Sequence, residues 1–133
     1  MLRPAGGRLE ILAFRHPLAG LQLVKGTIEA GEDPGAAACR ELAEECGLVA
    51  VGPPVFLFDS SDLPDADRWF FYLCPVEGVL EDRWDFETAD DGGQRFRFFW
   101  HGLEDDLSDE WHPLFVEVFS KLLPVLKALV AEP

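Results

Sequence analysis

The chain has 133 residues, 48% hydrophobic and 27% charged, a composition that fits a globular protein with a single domain over residues 1–133. Folding at this size hides roughly two thirds of the surface that the unfolded chain exposes, so neither disulfides nor a structural metal are needed to hold it. Eleven basic against 25 acidic residues give a formal charge of −14, which excludes DNA as a partner, and no apolar run nears the roughly 18 residues of a membrane span. The N-terminus lacks a signal-peptide pattern, so the expectation is a soluble cytoplasmic protein without a membrane partner.

In chain order, Arg8 to Phe14 reads as a strand, bounded by Gly6-Gly7 and His16-Pro17. Leu21 to Val24 is a short apolar piece that pairs with a strand or leads into a loop. Lys25 to Glu32 holds two glycines and no helical period, which predicts a structured loop. Asp33 offers an N-cap oxygen and Pro34 suits the first helical position, so a helix is predicted from there to Cys46, with Gly47 as its stop. Val49 to Phe58 is expected as strand broken by Pro53-Pro54, Asp59 to Asp67 as polar loop, and Trp69 to Val76 as a buried strand.

Gln94 to Trp100 alternates and then turns wholly apolar, as a strand entering a core does. From Ser108 or Asp109 to Val130 the apolar residues Leu114, Val118, Leu122, Val125, Leu126 and Leu129 recur at spacings of three and four, which predicts a helix that Pro124 kinks or divides. Strands and helices alternate, and several connections are short enough for antiparallel pairing. The natural architecture is a mixed sheet covered by helices.

Cys39, Cys46 and Cys74 show no metal-binding spacing and read as small buried hydrophobes in a reducing compartment. His16, His101 and His112 form no HxH or HExxH pattern and read as surface or capping residues. Asp62, Asp65, Asp67, Asp90 and Asp91 lack the register of a calcium loop.

The predicted helix concentrates charge. With Glu41 at zero and 100° per residue, Glu45 falls at about 40° and Glu44 at about 300°, so three carboxylates share one side, beside an apolar stripe of Ala38, Cys39, Leu42 and Cys46. Arg40 stands four residues before Glu44 and braces it. Such a cluster is a solvated face in most helices, yet three oxygen donors on one turn also suit a hard cation that leaves room for phosphate oxygens.

The loop and helix together read G-x5-E-x7-R-E-U-x-E-E-x-G-U, with U apolar, from Gly26 through Glu32 and Arg40-Glu41 to Leu48. This resembles the signature of the Nudix hydrolases with every fixed position filled. Looser similarity lies in RHP…GLQLVKGTIEAGE and in an aromatic strand ending FFW before a C-terminal helix. Val24 stands where many relatives carry proline, and little chain precedes the first strand, so the family's N-terminal strand is expected to be short or missing.

The resemblance implies an α/β fold, an α/β/α sandwich around a mixed β-sheet. It also implies hydrolysis of a nucleoside diphosphate linked to another group, with a small nucleotide-like substrate. Glu41, Glu44 and Glu45 would bind Mg²⁺ or Mn²⁺, and a backbone carbonyl of Lys25 or Gly26 would join them. Glu41 or Glu45 would take the proton of the attacking water. Gly26, Glu32, Arg40 and Gly47 would hold loop and helix in register. Arg15 and Lys25 bracket the loop and are candidates to meet substrate phosphates. A further acid is expected outside the motif, among Glu77, Glu81, Asp85 and Glu87, and a homodimer is compatible with family precedent. The alternative is a nucleotide-binding sensor of the same fold without turnover, against which the intact set of acids counts.

Overall fold

The computed structural model describes residues 1–25, 28–59, 69–76, 81–88 and 93–131. Its central strand, β2 (Arg8–His16), sends Ile11 and Ala13 into one apolar cluster and Leu12 and Phe14 into another. Successive side chains of a strand leave opposite faces, so this strand needs a cover on each side. β1 (Leu2–Ala5) folds back onto β2 through Gly6-Gly7, with Ala5 opposite Arg8. Both turn glycines have positive φ, 57° and 82°, as a two-residue hairpin turn of this twist demands.

β3 (Gly20–Gln22) continues along the same edge of β2, from Phe14↔Gln22 to His16↔Gly20. On the other edge β7 (Arg95–Gly102) pairs with β2, and β6 (Arg83–Glu87) pairs with β7. The order is β1-β2-β7-β6 with β3 beside β2. These ladders are antiparallel; parallel pairing enters at the Leu21–Trp111 bridge. β4 (Val55–Asp59) and β5 (Phe70–Leu73) make a separate two-stranded ladder.

α1 (Pro34–Cys46) lays Leu42 and Cys46 on the face formed by Leu12, Phe14, Phe96, Phe98 and Trp100. α2 (Pro113–Ala131) covers the opposite face with Phe115, Val118, Phe119, Leu122 and Leu126 against Ile11 and Ala13. Burying each such side chain contributes about 1.5–3 kcal/mol, which sets the two helices as the outer layers. The α/β/α sandwich is as expected.

Several elements differ from the sequence reading. The strand expected from Val49 begins only at Val55, because Pro53 and Pro54 have no N–H to donate to a ladder, and Val49 and Val51 stay exposed. The Trp69–Val76 strand is shorter, Phe70–Leu73, and half-buried; within that run only Cys74 is buried. α2 starts at Pro113, not at Ser108 or Asp109, because Trp111 is held in the bridge to Leu21 and Pro113 takes the first helical position. Pro124 does not divide α2. It lies on the exposed side, where water can satisfy the carbonyl that loses its helical donor. β1 is present with four residues, and β6 was not anticipated.

Candidate metal and diphosphate site

The helix that carries the acids is fixed at both ends by its own sequence. Asp33 is extended and its Oδ2 accepts the Ala36 N–H at 3.1 Å, with Pro34 opening the helix. Gly47 stops it in the left-handed conformation, φ 78°, donating its N–H to the Ala43 carbonyl at 3.0 Å. A side chain at Gly47 would put its Cβ 2.9 Å from the Phe86 ring. The position therefore requires glycine for both conformation and space.

Arg40 ties the preceding loop to this helix. Its Nε and one Nη donate to the two carboxylate oxygens of Glu32 at 2.8 and 2.9 Å, a bidentate pair. Its other Nη donates to Glu41 Oε1 at 2.9 Å and to Glu44 Oε2 at 3.0 Å. One cation thus organises three acids, from Glu32 just before the helix to Glu41 and Glu44 within it. The Arg40 hydrogen bonds, helped by the Glu29 backbone N–H, hold the Glu32 carboxyl down to about 2. Arg40 is in turn pushed up, first by Glu32 and then by Glu41.

Glu41 and Glu45 are 8% and 7% exposed. Carboxylates on successive turns of one helix are rarely buried this deeply, since each loses hydration and repels the other. The side chain of Glu44 is more open, at 45%. Among the described residues, no three His, Cys, Asp or Glu side chains are gathered closely enough to cage an ion by themselves. The donor set nonetheless fits Mg²⁺ or Mn²⁺, which take carboxylate oxygens and fill other positions with water and substrate phosphates in place of a full protein cage. Buried like charges that a divalent ion would neutralise are the feature of the chain that fits it.

Glu41 opens onto a cleft of about 570 Å³, lined also by Lys25, Pro34, Ala37 and Ala38 and, across from them, by Trp69 to Tyr72. That volume lies within the range of small-molecule sites. Lys25 lines it with its Nζ 5.7 Å from the Trp69 ring centre. Gly26 lies outside the described residues. Arg15 is not brought to the cleft: it pairs with Glu110 at 3.1 Å, and strand parity sends its side chain with Ala13, away from α1.

Of the acids expected outside the motif, Glu77 lies outside the described residues. Asp85 pairs with Arg95 at 3.1 Å and approaches Arg97 at 4.0 Å, while Glu87 stands 3.9 Å from Arg95. These are cross-strand pairs between β6 and β7, and Glu81 is exposed, its carbonyl accepting the Trp100 indole N–H at 3.0 Å. None of the three lines the cleft. The cleft walls themselves, Ala37, Ala38, Phe70 and Tyr72, were not anticipated as site residues. Pro34, Ala37, Ala38 and Glu41 share one helical face by spacing, which is a signal the sequence contained.

The remaining candidates are structural. His112 Nδ1 accepts the Leu114 N–H at 3.3 Å as a cap of α2. The thiols are free. Burial pushes Cys46 up to about 12 and Cys74 up to about 11, so both stay protonated near neutrality.

No curated protein matches the chain. The model of the NUDIX domain matches residues 1–120 of the 133, from the first strand of the sheet into α2. That match takes in the edge strand, the Arg40-centred loop and helix, the aromatic β7 and the start of α2, and so extends the resemblance well beyond residues 26–48. The chain belongs to the Nudix family.

Proposed function

We infer that the chain is a hydrolase of pyrophosphate bonds, a reading supported by its membership of a family that generally uses divalent cations. We propose that this chain hydrolyses the diphosphate linkage of a nucleoside diphosphate joined to another group, with Mg²⁺ or Mn²⁺ as cofactor. The observation that carries the reading is the pair of buried carboxylates, Glu41 and Glu45, with Glu41 facing a ligand-sized cleft.

Glu41, Glu44 and Glu45 would hold the ion, with the Lys25 carbonyl as a further donor. When bound, the ion polarises a phosphoryl oxygen, acidifies water and offsets charge on the leaving phosphate. Glu41 or Glu45 accepts the proton of the attacking water. Glu41 accepts a hydrogen bond from Arg40 through Oε1, which keeps it aimed. Glu32 and Arg40 keep the loop on the helix, so that a phosphate entering beside Lys25 meets the carboxylates in a fixed geometry. Lys25 supplies positive charge at the cleft in a strongly acidic chain. The free thiols support action in the cytoplasm.

The test is product release from a panel of nucleoside diphosphate compounds, with and without Mg²⁺ or Mn²⁺, beside Glu44→Gln and Glu45→Gln. Metal-dependent cleavage lost by about 10²–10⁴-fold in Glu45→Gln is the expected result. Full activity in both variants would sink the reading. Saturable nucleotide binding with no product would favour a sensor of the same fold.

A further inference from the structure

The chain carries three thiols that the proposed reaction does not use, and two of them meet where α1 rests on β5. Cys39 Sγ and Cys74 Sγ are 4.0 Å apart. The meeting follows from how the two elements run. Gly35 of α1 lies against β5, since a Cβ there would stand 3.2 Å from the Tyr72 ring. Four residues of helix advance about 6 Å and two of strand about 6.6 Å. The contact therefore repeats one step on, with Cys39 over Cys74, just past the end of β5. The two thiols differ in access. Cys39 is partly exposed, whereas Cys74 is 6% exposed and lines the cleft. Burial pushes the Cys74 thiol up to about 11, so it rests protonated and the more open Cys39 meets an oxidant first. Cys46 is 3% exposed, and its Sγ donates to the Leu42 carbonyl at 2.9 Å within its own helix.

We propose that Cys39 and Cys74 are a peroxide-sensitive pair whose disulfide pins α1 to β5 and narrows the cleft between them. Hydrogen peroxide oxidises the Cys39 thiol to a sulfenic acid and leaves as one water. The Cys74 sulfur then attacks the Cys39 sulfur. The S–S bond forms as the S–O bond breaks, and the hydroxyl departs with the Cys74 proton as a second water. The two electrons lost by the thiols are those that reduce the peroxide. A disulfide holds its sulfurs about 2.05 Å apart, so the pair must close by about 2 Å. Both anchors adjoin the cleft: Cys39 follows Ala38, and Cys74 lies two residues after Tyr72. The bridge thus draws together and fixes the walls between which a ligand enters and leaves. Its effect on turnover rests on the proposed hydrolysis, whereas the bridge itself rests on the geometry of the two thiols.

The test treats the reduced full chain with hydrogen peroxide, removes the peroxide, and compares wild type with Cys39→Ser. In wild type the free thiols are expected to fall from three to one, with peptide mapping joining Cys39 to Cys74. The thermal midpoint should rise by roughly 10 °C, because the bridge closes a long loop of the unfolded chain. Turnover of a nucleoside diphosphate compound should fall severalfold, and dithiothreitol should reverse all of these changes. Cys39→Ser should keep its midpoint and turnover through the treatment. Three surviving thiols in wild type, or a bridge that uses Cys46, overturns the pair, and this result needs no variant to fold. A Cys39–Cys74 bridge that leaves the midpoint, or the turnover of an active chain, unchanged overturns the clamp. An equal loss of turnover in treated Cys39→Ser also overturns it. A chain with no turnover before treatment removes the hydrolysis, while the thiol count and the midpoint still decide the pair.

Discussion

The two faces of the sheet bury different chemistry. The α2 face is closed by eleven fully apolar residues, from Ile11 to Leu126, with Trp69, Phe71 and Leu123 packed around them. The α1 face buries Leu42 and Cys46 as its counterpart, but the same helix also buries Glu41 and Glu45 and opens onto the cleft. Stability is gathered on one side and chemistry on the other. Carboxylates that would weaken a purely structural helix are carried by α1, which the continuous core under α2 makes tolerable.

The largest expected effect tests the chemical side. Glu45→Gln should lower turnover by about 10²–10⁴-fold while the unfolding midpoint, measured without divalent ions, holds or rises, since a buried charge has been removed from beside Glu41. A large fall in the midpoint would mean that the charge stabilises the fold, and the comparison of faces would fail. The converse change is Phe119→Ala on α2. Phe119 is 6% exposed and packs edge-on to Trp111 at 5.1 Å. Its truncation should cost about 3–5 kcal/mol and lower the thermal midpoint by roughly 10 °C or more. Turnover per folded molecule at low temperature should stay within about twofold of wild type. A selective loss of turnover without loss of stability would show that the α2 face takes part in the chemistry.

A smaller effect sharpens the description of α1. Gly47→Ala places a side chain at φ 78° and against Phe86, and should cost about 1–2 kcal/mol in denaturant unfolding. Phe86 belongs to the α1-side cluster, so a companion Phe86→Leu change should relieve part of that cost. If the pair of changes is strictly additive, the Cβ does not meet the ring.

What could be read from the chain divides along the same line. The bounds of α1 were legible to the residue because Asp33, Pro34 and Gly47 act locally, on hydrogen bonds within one turn of them. That Glu41 and Glu45 share one side of α1 was legible because a helix turns sequence spacing into a face. β6 was missed although Arg83–Glu87 carries a signal, since its charged residues alternate with Trp84 and Phe86 as in a half-buried strand paired with β7. The cleft was hidden for a stronger reason. Lys25, α1 and β5 are brought together by packing on both sides of the chain's middle, and no spacing records that. Arg15 is an intermediate case. Its parity with Ala13 was visible in the strand, but which face α1 covers was not, and so a side chain that does not line the cleft was a candidate for substrate phosphates.

The last prediction concerns the loop that joins the two kinds of region. Glu32 has its carboxyl lowered from 4.5 to about 2 by Arg40. A group whose folded value is depressed adds stability that is present above its unfolded value and lost as pH falls through its folded value. The contribution of Glu32 should therefore be complete above about pH 4.5 and disappear progressively down to about pH 2, the window set by those two values. Denaturant unfolding of wild type and Glu32→Gln between pH 6 and pH 2.5 should show wild type the more stable at the upper end, with the gap closing toward the lower. The unfolded glutamate binds its proton first, so over this window acid costs the wild type stability through a group that glutamine lacks. A gap that stays constant with pH would mean that Glu32 holds Arg40 by packing and shape, not by charge. The same comparison made on turnover at pH 6 tells whether the loop positions the site: a Glu32→Gln variant that unfolds normally yet works slowly would show that Arg40, released from the loop, no longer aims Glu41.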